Sequence, residues 1–171
     1  LPEGLEISVF SKRENPYDVF ISDGRLFNEL PAGSTIGTGS VRRRILLQAL
    51  RSDLEYRDIR GNIETRIGKV TQGELDGVIL AAAGLNRIDD EYAITQEFEK
   101  KQLIPAIGQG VLGVETRVGD SAVVEILRSM NDSDVENAMA IERGFMKEIG
   151  GGCKAPMAAF AEVQNGQCSV A

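Results

Sequence analysis

The sequence contains no histidine, and this absence excludes several kinds of site. Without imidazole there can be no Ser-His-Asp triad, no Cys-His pair and no histidine-ligated metal. The two cysteines, Cys153 and Cys168, are too few for a disulfide framework or a four-cysteine zinc site. We therefore expect no metal site and no histidine-based acid-base catalysis.

Long apolar runs and an excess of positive charge are also missing. No run approaches the roughly 18 residues that a membrane helix needs, and the first residues lack the basic start and apolar core of a signal peptide. The net charge of −7 over 171 residues argues against a general nucleic-acid surface. We therefore expect neither membrane nor nucleic-acid partners.

The basic residues that are present are mostly arginine, with 13 Arg against 6 Lys. Arginine is the side chain best suited to bidentate recognition of carboxylate and phosphate. Three segments share one pattern, in which a short β-rich or apolar run ends in small residues and a helix with arginine near its start follows. These segments are 34–50, 54–70 and 76–88.

The alternation of strand, turn and helix predicts an α/β fold whose mixed sheet has mostly parallel strands and helices on both faces. Ser40 and Asn62 suit helix N-caps. Because ligands bind at the carboxyl ends of parallel strands, the three turns should meet in one anion site. Residue types leave phosphate and carboxylate open, although the absence of G-x-x-x-x-G-K-[ST] excludes a P-loop. The arginines expected at this edge are Arg42, Arg43, Arg60, Arg66 and Arg87.

The rest of the chain predicts a second group of elements. We expect some helix in the polar stretch 89–102, a crossing at 103–110, a strand at 111–117 and a helix at 121–130. The clearest helix covers 131–150, with Ser133 and Glu136 as a capping box. A hairpin follows, in which Asn165-Gly166 predicts a type I′ turn.

Cys153 lies in GGGCKAP, at 150–156, on the most flexible backbone of the chain. It could be a small residue that fills a turn. However, the glycines leave its sulfur accessible and Lys154 favours the thiolate, which indicates a nucleophile or an attachment point. Without histidine we favour attachment. Cys168 alternates within a strand, and we expect it in the core.

Several long motifs, in order, resemble the porphobilinogen deaminase family, also called hydroxymethylbilane synthases. The resemblance runs from Leu1 to Ala171 through LPEGL, IGTGSVRRR, DIRGNIETRIGKV, DGVILAAAGLNRI, IPAIGQGVLGVETR and GGGCKAPMAAFAEV. It implies a transferase of tetrapyrrole (heme, chlorophyll and cobalamin precursor) biosynthesis. Members of this family join porphobilinogen units head to tail into hydroxymethylbilane and release ammonia at each addition. The chain grows on a dipyrromethane primer that is held covalently by a cysteine. A periplasmic-binding-protein-like lobe is the implied fold.

The resemblance also implies roles for individual residues. It makes Cys153 the attachment point of the dipyrromethane cofactor. Residues implied to bind the cofactor are Thr38, Ser40, Arg42, Arg43 and Gly84, and those implied to bind substrate carboxylates are Arg60, Arg66 and Arg87. We expect these arginines to act on the ligand more than on the fold. One departure is Gly39, where the family usually has a hydroxyl residue.

The family's catalytic aspartate belongs to a His-Ser-x-Lys-Asp motif that precedes LPEGL and that this sequence lacks. We therefore expect no catalytic residue here, and we expect a central fragment that is inactive alone. The implied domains are 1–11 as the tail of domain 1, 12–104 as nearly all of domain 2, 105–130 as a return to domain 1, and 131–171 as the start of a small α+β domain 3. A cytoplasmic monomer is expected.

One alternative stays open from the residues alone. An anion-binding module of the periplasmic-receptor type, without catalysis, would need the arginines and a hinge. It would not need Cys153, so an adduct on that thiol separates the two readings.

Overall fold

The computed structural model describes residues 1–88, 92–150, 156–164 and 166–171. Helices and strands alternate over 35–85 as predicted. The strands are β1 (Leu5–Phe10), β2 (Asp18–Ser22), β3 (Thr35–Gly37), β4 (Glu55–Arg57), β5 (Gly77–Ala81), β6 (Gln96–Glu97), β7 (Gly113–Arg117), β8 (Ala161–Gln164) and β9 (Gln167–Val170). The helices are α1 (Val41–Leu50), α2 (Ile63–Thr71), α3 (Ala82–Leu85), α4 (Ser121–Leu127) and α5 (Ser133–Ile149), with short 3₁₀ turns at Phe27–Glu29 and Arg128–Met130.

A five-stranded mixed sheet in the order β4-β3-β5-β2-β6 is the centre of the fold. Strand β3 pairs in parallel with β4 and β5, while β2 pairs antiparallel with β5 and β6. Four of the five strands therefore run in the same direction. The predicted mixed, mostly parallel sheet is confirmed.

Both faces of this sheet carry an apolar core, because successive residues of a strand point to opposite faces. On one face Val19, Val78 and Leu80 pack with residues of α2, including Ile67. On the other face Phe20, Ile36 and Ile79 pack with Leu46 and Leu47 of α1. Helices therefore cover both faces, as predicted.

Strands β1 and β7 form a separate antiparallel pair, in which Leu5 lies opposite Arg117. Two connections link this pair to the five-stranded sheet, at 11–17 and at 98–112. They lie against each other, since Ser11 N donates to Leu112 O and Glu14 N donates to Gly110 O, both at 2.9 Å. Gly110 has φ of 87°, and a Cβ there would lie 2.4 Å from Glu14 O, so this contact requires glycine.

The helix expected within 89–102 is not found among the described residues 92–102. Gln96 and Glu97 instead form β6 along the free edge of β2. Phe98 continues this pairing, because its N–H donates to Asp18 O at 2.9 Å. Its ring is fully buried against Phe27. Pairing with the sheet edge gives hydrogen-bond partners to the backbone of this segment and buries the Phe98 ring. These tertiary contacts outweigh the local helix propensity.

The predicted helix at 131–150 is confirmed, but its predicted capping box is wrong. The N-cap is Asp132, whose carboxylate accepts from the N–H groups of Asp134 and Val135. The side chain of Glu136 binds Asn131 at 2.8 Å. Aspartate and serine are both good N-caps. The run NDSD therefore contains two adjacent candidates for the N-cap, Asp132 and Ser133, and residue spacing alone does not decide between them.

The predicted hairpin is present as β8 and β9, with Val163 opposite Cys168. Residue Asn165 of its turn lies outside the described residues. The expectation that Cys168 is buried is wrong, because its side chain is exposed. The sheet has two strands, and all four residues of β9 are exposed. No helix in the described part of the chain is long and apolar enough to cross a membrane.

Candidate functional site

The three arginine-bearing turns meet at one edge of the five-stranded sheet. Gly37 at the end of β3 pairs with Arg57 at the end of β4, and also with Val78 of β5. A Cβ on Gly39 would lie 2.8 Å from Ile59 O, and one on Gly84 would lie 3.1 Å from the side chain of Ile63. The starts of α1 and α2 and the short helix α3 are therefore neighbours, as the parallel strands predict.

The turn before α1 is held by its own hydroxyl groups. Thr38 N donates to Arg57 O at 3.0 Å, and Thr38 Oγ1 accepts from Ser40 N at 3.2 Å. Ser40 Oγ then accepts from Arg43 N at 3.4 Å, which confirms it as an N-cap. Asn62 caps α2 in the same way through Thr65 N at 2.8 Å. Both helix starts are therefore fixed by the residues expected to fix them.

The carboxylate of Asp18 lies between the side chains of Arg42 and Arg43. Asp18 Oδ2 accepts from Arg42 Nη2 at 2.7 Å, and Asp18 Oδ1 accepts from Arg43 Nη2 at 2.8 Å and Nε at 3.0 Å. Asp18 is 0 % exposed and Arg42 is 5 % exposed. Charge-assisted bonds of this kind are strong and directional, so both guanidinium groups have fixed positions.

Gln109 completes this group, which we call the Asp18 cluster (Asp18, Arg42, Arg43 and Gln109). Its Nε2 donates to Asp18 Oδ1 at 2.8 Å and to Pro16 O at 2.6 Å. Arg42 Nη1 also donates to Ile104 O. The cluster therefore ties the start of α1 to both connections between the two sheets.

The Asp18 cluster has an unbalanced charge. It contains two guanidinium groups and one carboxylate, so its formal charge is +1. Arg42 Nε is buried and has no hydrogen-bond partner among the described residues. Burial lowers the pKa of Arg42, while the attraction of Asp18 opposes that change. A buried cation with a spare N–H donor is suited to an anionic group, since buried charge is costly unless it is paired.

These contacts give Arg42 and Arg43 a role in the fold, and their expected action on a ligand stays a prediction. Arg43 donates through Nε and Nη2 to Asp18 and through Nη1 to Ile79 O, and Arg43 is only 9 % exposed. Its side chain therefore helps to hold α1 on the sheet. Sequence reasoning missed Asp18, although a charged residue at the start of an apolar strand was a usable signal. Such a residue is rarely buried unless it is paired.

The other three predicted arginines are more accessible. Arg66 Nε donates to Gly61 O at 2.8 Å, and the exposed Arg87 donates through Nη2 to Gly110 O at 3.2 Å. Arg60 is exposed and makes no side-chain hydrogen bond to the described residues. These side chains keep donors available for a ligand at the same edge of the lobe.

Cys153 and its neighbours 151–155 lie outside the described residues. The segments on either side are held by Glu142 of α5, which is 0 % exposed. Glu142 accepts from Arg13 Nη2 at 2.8 Å, Gly108 N at 2.7 Å and Ala161 N at 2.9 Å. We call these groups the Glu142 cluster. It joins α5, both connections and the first residue of the hairpin.

The fold is an α/β lobe with arginine-bearing turns at one sheet edge, beside a buried cluster of excess positive charge that suits an anion. The family comparison makes this specific. Residues 1–125 match the family model described as "Porphobilinogen deaminase, dipyromethane cofactor binding domain", and 137–170 match "Porphobilinogen deaminase, C-terminal domain". The chain belongs to the porphobilinogen deaminase family.

Two curated relatives illustrate the match. Porphobilinogen deaminase of Trichlorobacter lovleyi is 49% identical over 162 residues, which are 95% of this chain and 52% of that protein. The porphobilinogen deaminase of Syntrophus aciditrophicus is 47% identical over 163 residues, which are 95% of this chain and 53% of that protein. The chain thus spans about half the length of the curated relatives it matches.

Solved structures show a weaker likeness. A periplasmic binding protein of Salmonella typhimurium with high arginine specificity is 17% identical, with 81% of this chain and 63% of that chain covered and a TM-score of 0.44. A likeness at this level has no bearing on ligand or chemistry.

Proposed function

We propose that the protein containing this chain joins porphobilinogen units head to tail into hydroxymethylbilane, with release of ammonia, in tetrapyrrole biosynthesis. The observation that carries this proposal is the Asp18 cluster, with its excess positive charge, at the edge where the three arginine-bearing turns meet. Membership of the porphobilinogen deaminase family supports it.

The chemistry of the substrate agrees with this edge. Each pyrrole unit carries an acetate and a propionate group, so the growing chain is a polycarboxylate. Bidentate arginines and helix N-termini are the physical means of holding such a chain. We assign Arg60, Arg66 and Arg87 to the carboxylates of incoming porphobilinogen, because their side chains keep donors free for a ligand.

The described residues fit a dipyrromethane primer. The buried excess charge and the unpartnered Nε of Arg42 suit one of its carboxylates. We assign its binding to Thr38, Ser40, Arg42, Arg43 and Gly84, and its covalent attachment to the Cys153 thiolate. When bound, the primer would supply a free pyrrole carbon for the first incoming unit, and each later unit would bond to the pyrrole added before it, with loss of ammonia from the ammonium form of porphobilinogen and of the proton on the attacking carbon. The chain's own residues hold carboxylates and keep the start of α1 in place.

Catalysis needs more than these residues. The family's aspartate motif is absent from this sequence, and preorganised charge is often the largest catalytic contribution. We therefore propose that the 171 residues alone do not turn over porphobilinogen. The domain boundaries given above, the monomeric state and the cytoplasmic location stay predictions.

A full-length protein containing this chain tests the function directly. Incubated with porphobilinogen, it should release one ammonia per unit consumed and yield the linear tetrapyrrole. Arg66→Leu should lower the rate at least about tenfold, since lost carboxylate contacts misplace the substrate. The matched control is Arg57→Leu, which removes an exposed arginine paired with Glu55 and should keep the rate.

Two outcomes would contradict the proposal. Porphobilinogen that binds without being consumed would favour the anion-binding module of the receptor type. An equal loss of rate in Arg66→Leu and Arg57→Leu would show that Arg66 has no special role in binding the substrate.

A further inference from the structure

We propose that Asp18 is a specificity-determining residue of the anion site. Its carboxylate sets the buried charge to +1, so that the site accepts a singly charged carboxylate and disfavours a doubly charged anion such as sulfate. This inference rests on the proposed function, because it takes the start of α1 as the place where a ligand carboxylate binds.

The first step of the argument is the charge count around Asp18. This carboxylate is the only described acidic group within hydrogen-bond distance of either Arg42 or Arg43. It contacts one guanidinium through each of its oxygens, and each ion pair is nearly or fully buried. Without Asp18 the same space would hold two unpaired positive charges.

The second step concerns the donors that Asp18 leaves unused. Arg43 spends its Nε and Nη2 on Asp18, whereas Arg42 keeps a buried Nε without a partner among the described residues. The N-terminus of α1 adds a partial positive charge and free N–H groups. One further negative charge would balance the Asp18 cluster, and the cluster itself has no partner for a second negative charge in this buried place.

The third step is that Asp18 also fixes where these charges lie. Gln109 binds Asp18 and Pro16, and Arg42 binds Ile104, so the carboxylate connects α1 to both connections. A neutral side chain of the same size would keep part of this geometry while removing the charge. Asp18→Asn therefore separates the electrostatic role from the steric one.

The test measures how sulfate and acetate raise the unfolding midpoint of the full-length protein that contains this chain, at matched ionic strength, which reports apparent affinity through linkage. The control is Asp53→Asn, which breaks an exposed aspartate–arginine pair with Arg51. It also measures the general stabilising effect of sulfate on folded proteins. Asp18→Asn should bind sulfate at least about tenfold more tightly than the control, with a smaller gain for acetate.

A second variant covers the case in which Asp18→Asn does not fold. Arg42→Gln lowers the cluster charge to zero with Asp18 intact, and it should lose most of the stabilisation by both anions. The proposal is overturned if Asp18→Asn shows the same sulfate response as Asp53→Asn. It is also overturned if Arg42→Gln responds to both anions like the unmodified protein.

These outcomes are separable from the failure of the proposed function. A sulfate response that follows Asp18, in a protein that never processes porphobilinogen, would keep the charge-setting role and reject the pyrrole chemistry. Normal porphobilinogen consumption, with the same sulfate response in Asp18→Asn as in Asp53→Asn, would keep the pyrrole chemistry and reject the charge-setting role of Asp18.

Discussion

Two fully buried carboxylates, Asp18 in the five-stranded lobe and Glu142 in α5, are neutralised in different ways. Asp18 accepts from two guanidinium groups and one amide, which leaves one positive charge over. Glu142 accepts from one guanidinium and two backbone N–H groups, which leaves none. The balanced cluster is suited to fastening segments of the chain together. The unbalanced one also has charge to offer a ligand.

The regions around the two clusters also differ in how many apolar side chains they bury. The lobe buries large side chains on both faces of its sheet, with Ile36 and Ile79 on one face and Val78 and Leu80 on the other. Helix α5 buries only Ala138, Met139 and Glu142, and it leaves Phe145 and Ile149 exposed. The C-terminal region therefore buries fewer large apolar side chains than the lobe, with Phe160 as the main one, and Glu142 adds polar contacts to this packing.

The largest expected effect is that of Asp18→Asn on the free energy of unfolding. Removing one partner of a buried ion pair costs about 3–5 kcal/mol, and here two like charges would remain. Denaturant unfolding of the variant and the unmodified protein measures the loss. Because the remaining guanidinium groups repel each other, added salt should recover part of it. A loss below about 1 kcal/mol would show that the Asp18 cluster is not needed for the fold.

Glu142→Gln should cost less, about 1–3 kcal/mol, because a glutamine oxygen in place of Oε1 can still accept the hydrogen bonds from Arg13 and Ala161. Since no pair of like charges remains, salt should recover little. The same unfolding experiment checks this, with Glu148→Gln on the exposed side of α5 as the matched control. Strong recovery in salt for Glu142→Gln, or a loss equal to that of Glu148→Gln, would erase the contrast between the two clusters.

A smaller effect is expected from Gly39→Ser, which places a hydroxyl residue where the family usually has one. A Cβ at this position would meet Ile59 O at 2.8 Å, so the turn must shift, at a cost of about 1 kcal/mol. Gly144→Ser in α5 is the control, since no described atom outside the neighbouring helix backbone lies within 4 Å of its Cβ position and serine is a better helix former than glycine. Thermal unfolding compares the two variants. Equal unfolding midpoints for Gly39→Ser and Gly144→Ser would show that the turn before α1 accommodates a side chain without loss of stability.

The sequence predicted most of the lobe because its elements are decided locally. Period-2 and period-3.6 patterns placed the strands and helices at 18–85, and Ser40 and Asn62 marked two helix starts that the structure confirms. The meeting of the three turns followed from the rule for parallel strands. These features depend on residues close together in the chain.

The features that the sequence did not predict depend on distant residues. Asp18 meets Arg42 and Arg43 across 24 and 25 positions, and Glu142 meets Arg13 across 129. Phe98 joins the core because the edge of β2 is free, which no local pattern shows. Cys168 alternates like a core residue but is exposed, since alternation gives a face and not what covers it.

The most direct test of the account is peptide-resolved mass spectrometry of the full-length protein that contains this chain. We expect two linked pyrrole units on the peptide that carries Cys153, and none on the peptide that carries Cys168. Cys153→Ser should abolish the adduct, whereas Cys168→Ser should keep it and change the unfolding free energy by less than about 0.5 kcal/mol. An adduct that persists on the Cys153→Ser protein, or one found on Cys168, would contradict the assignment of the primer site.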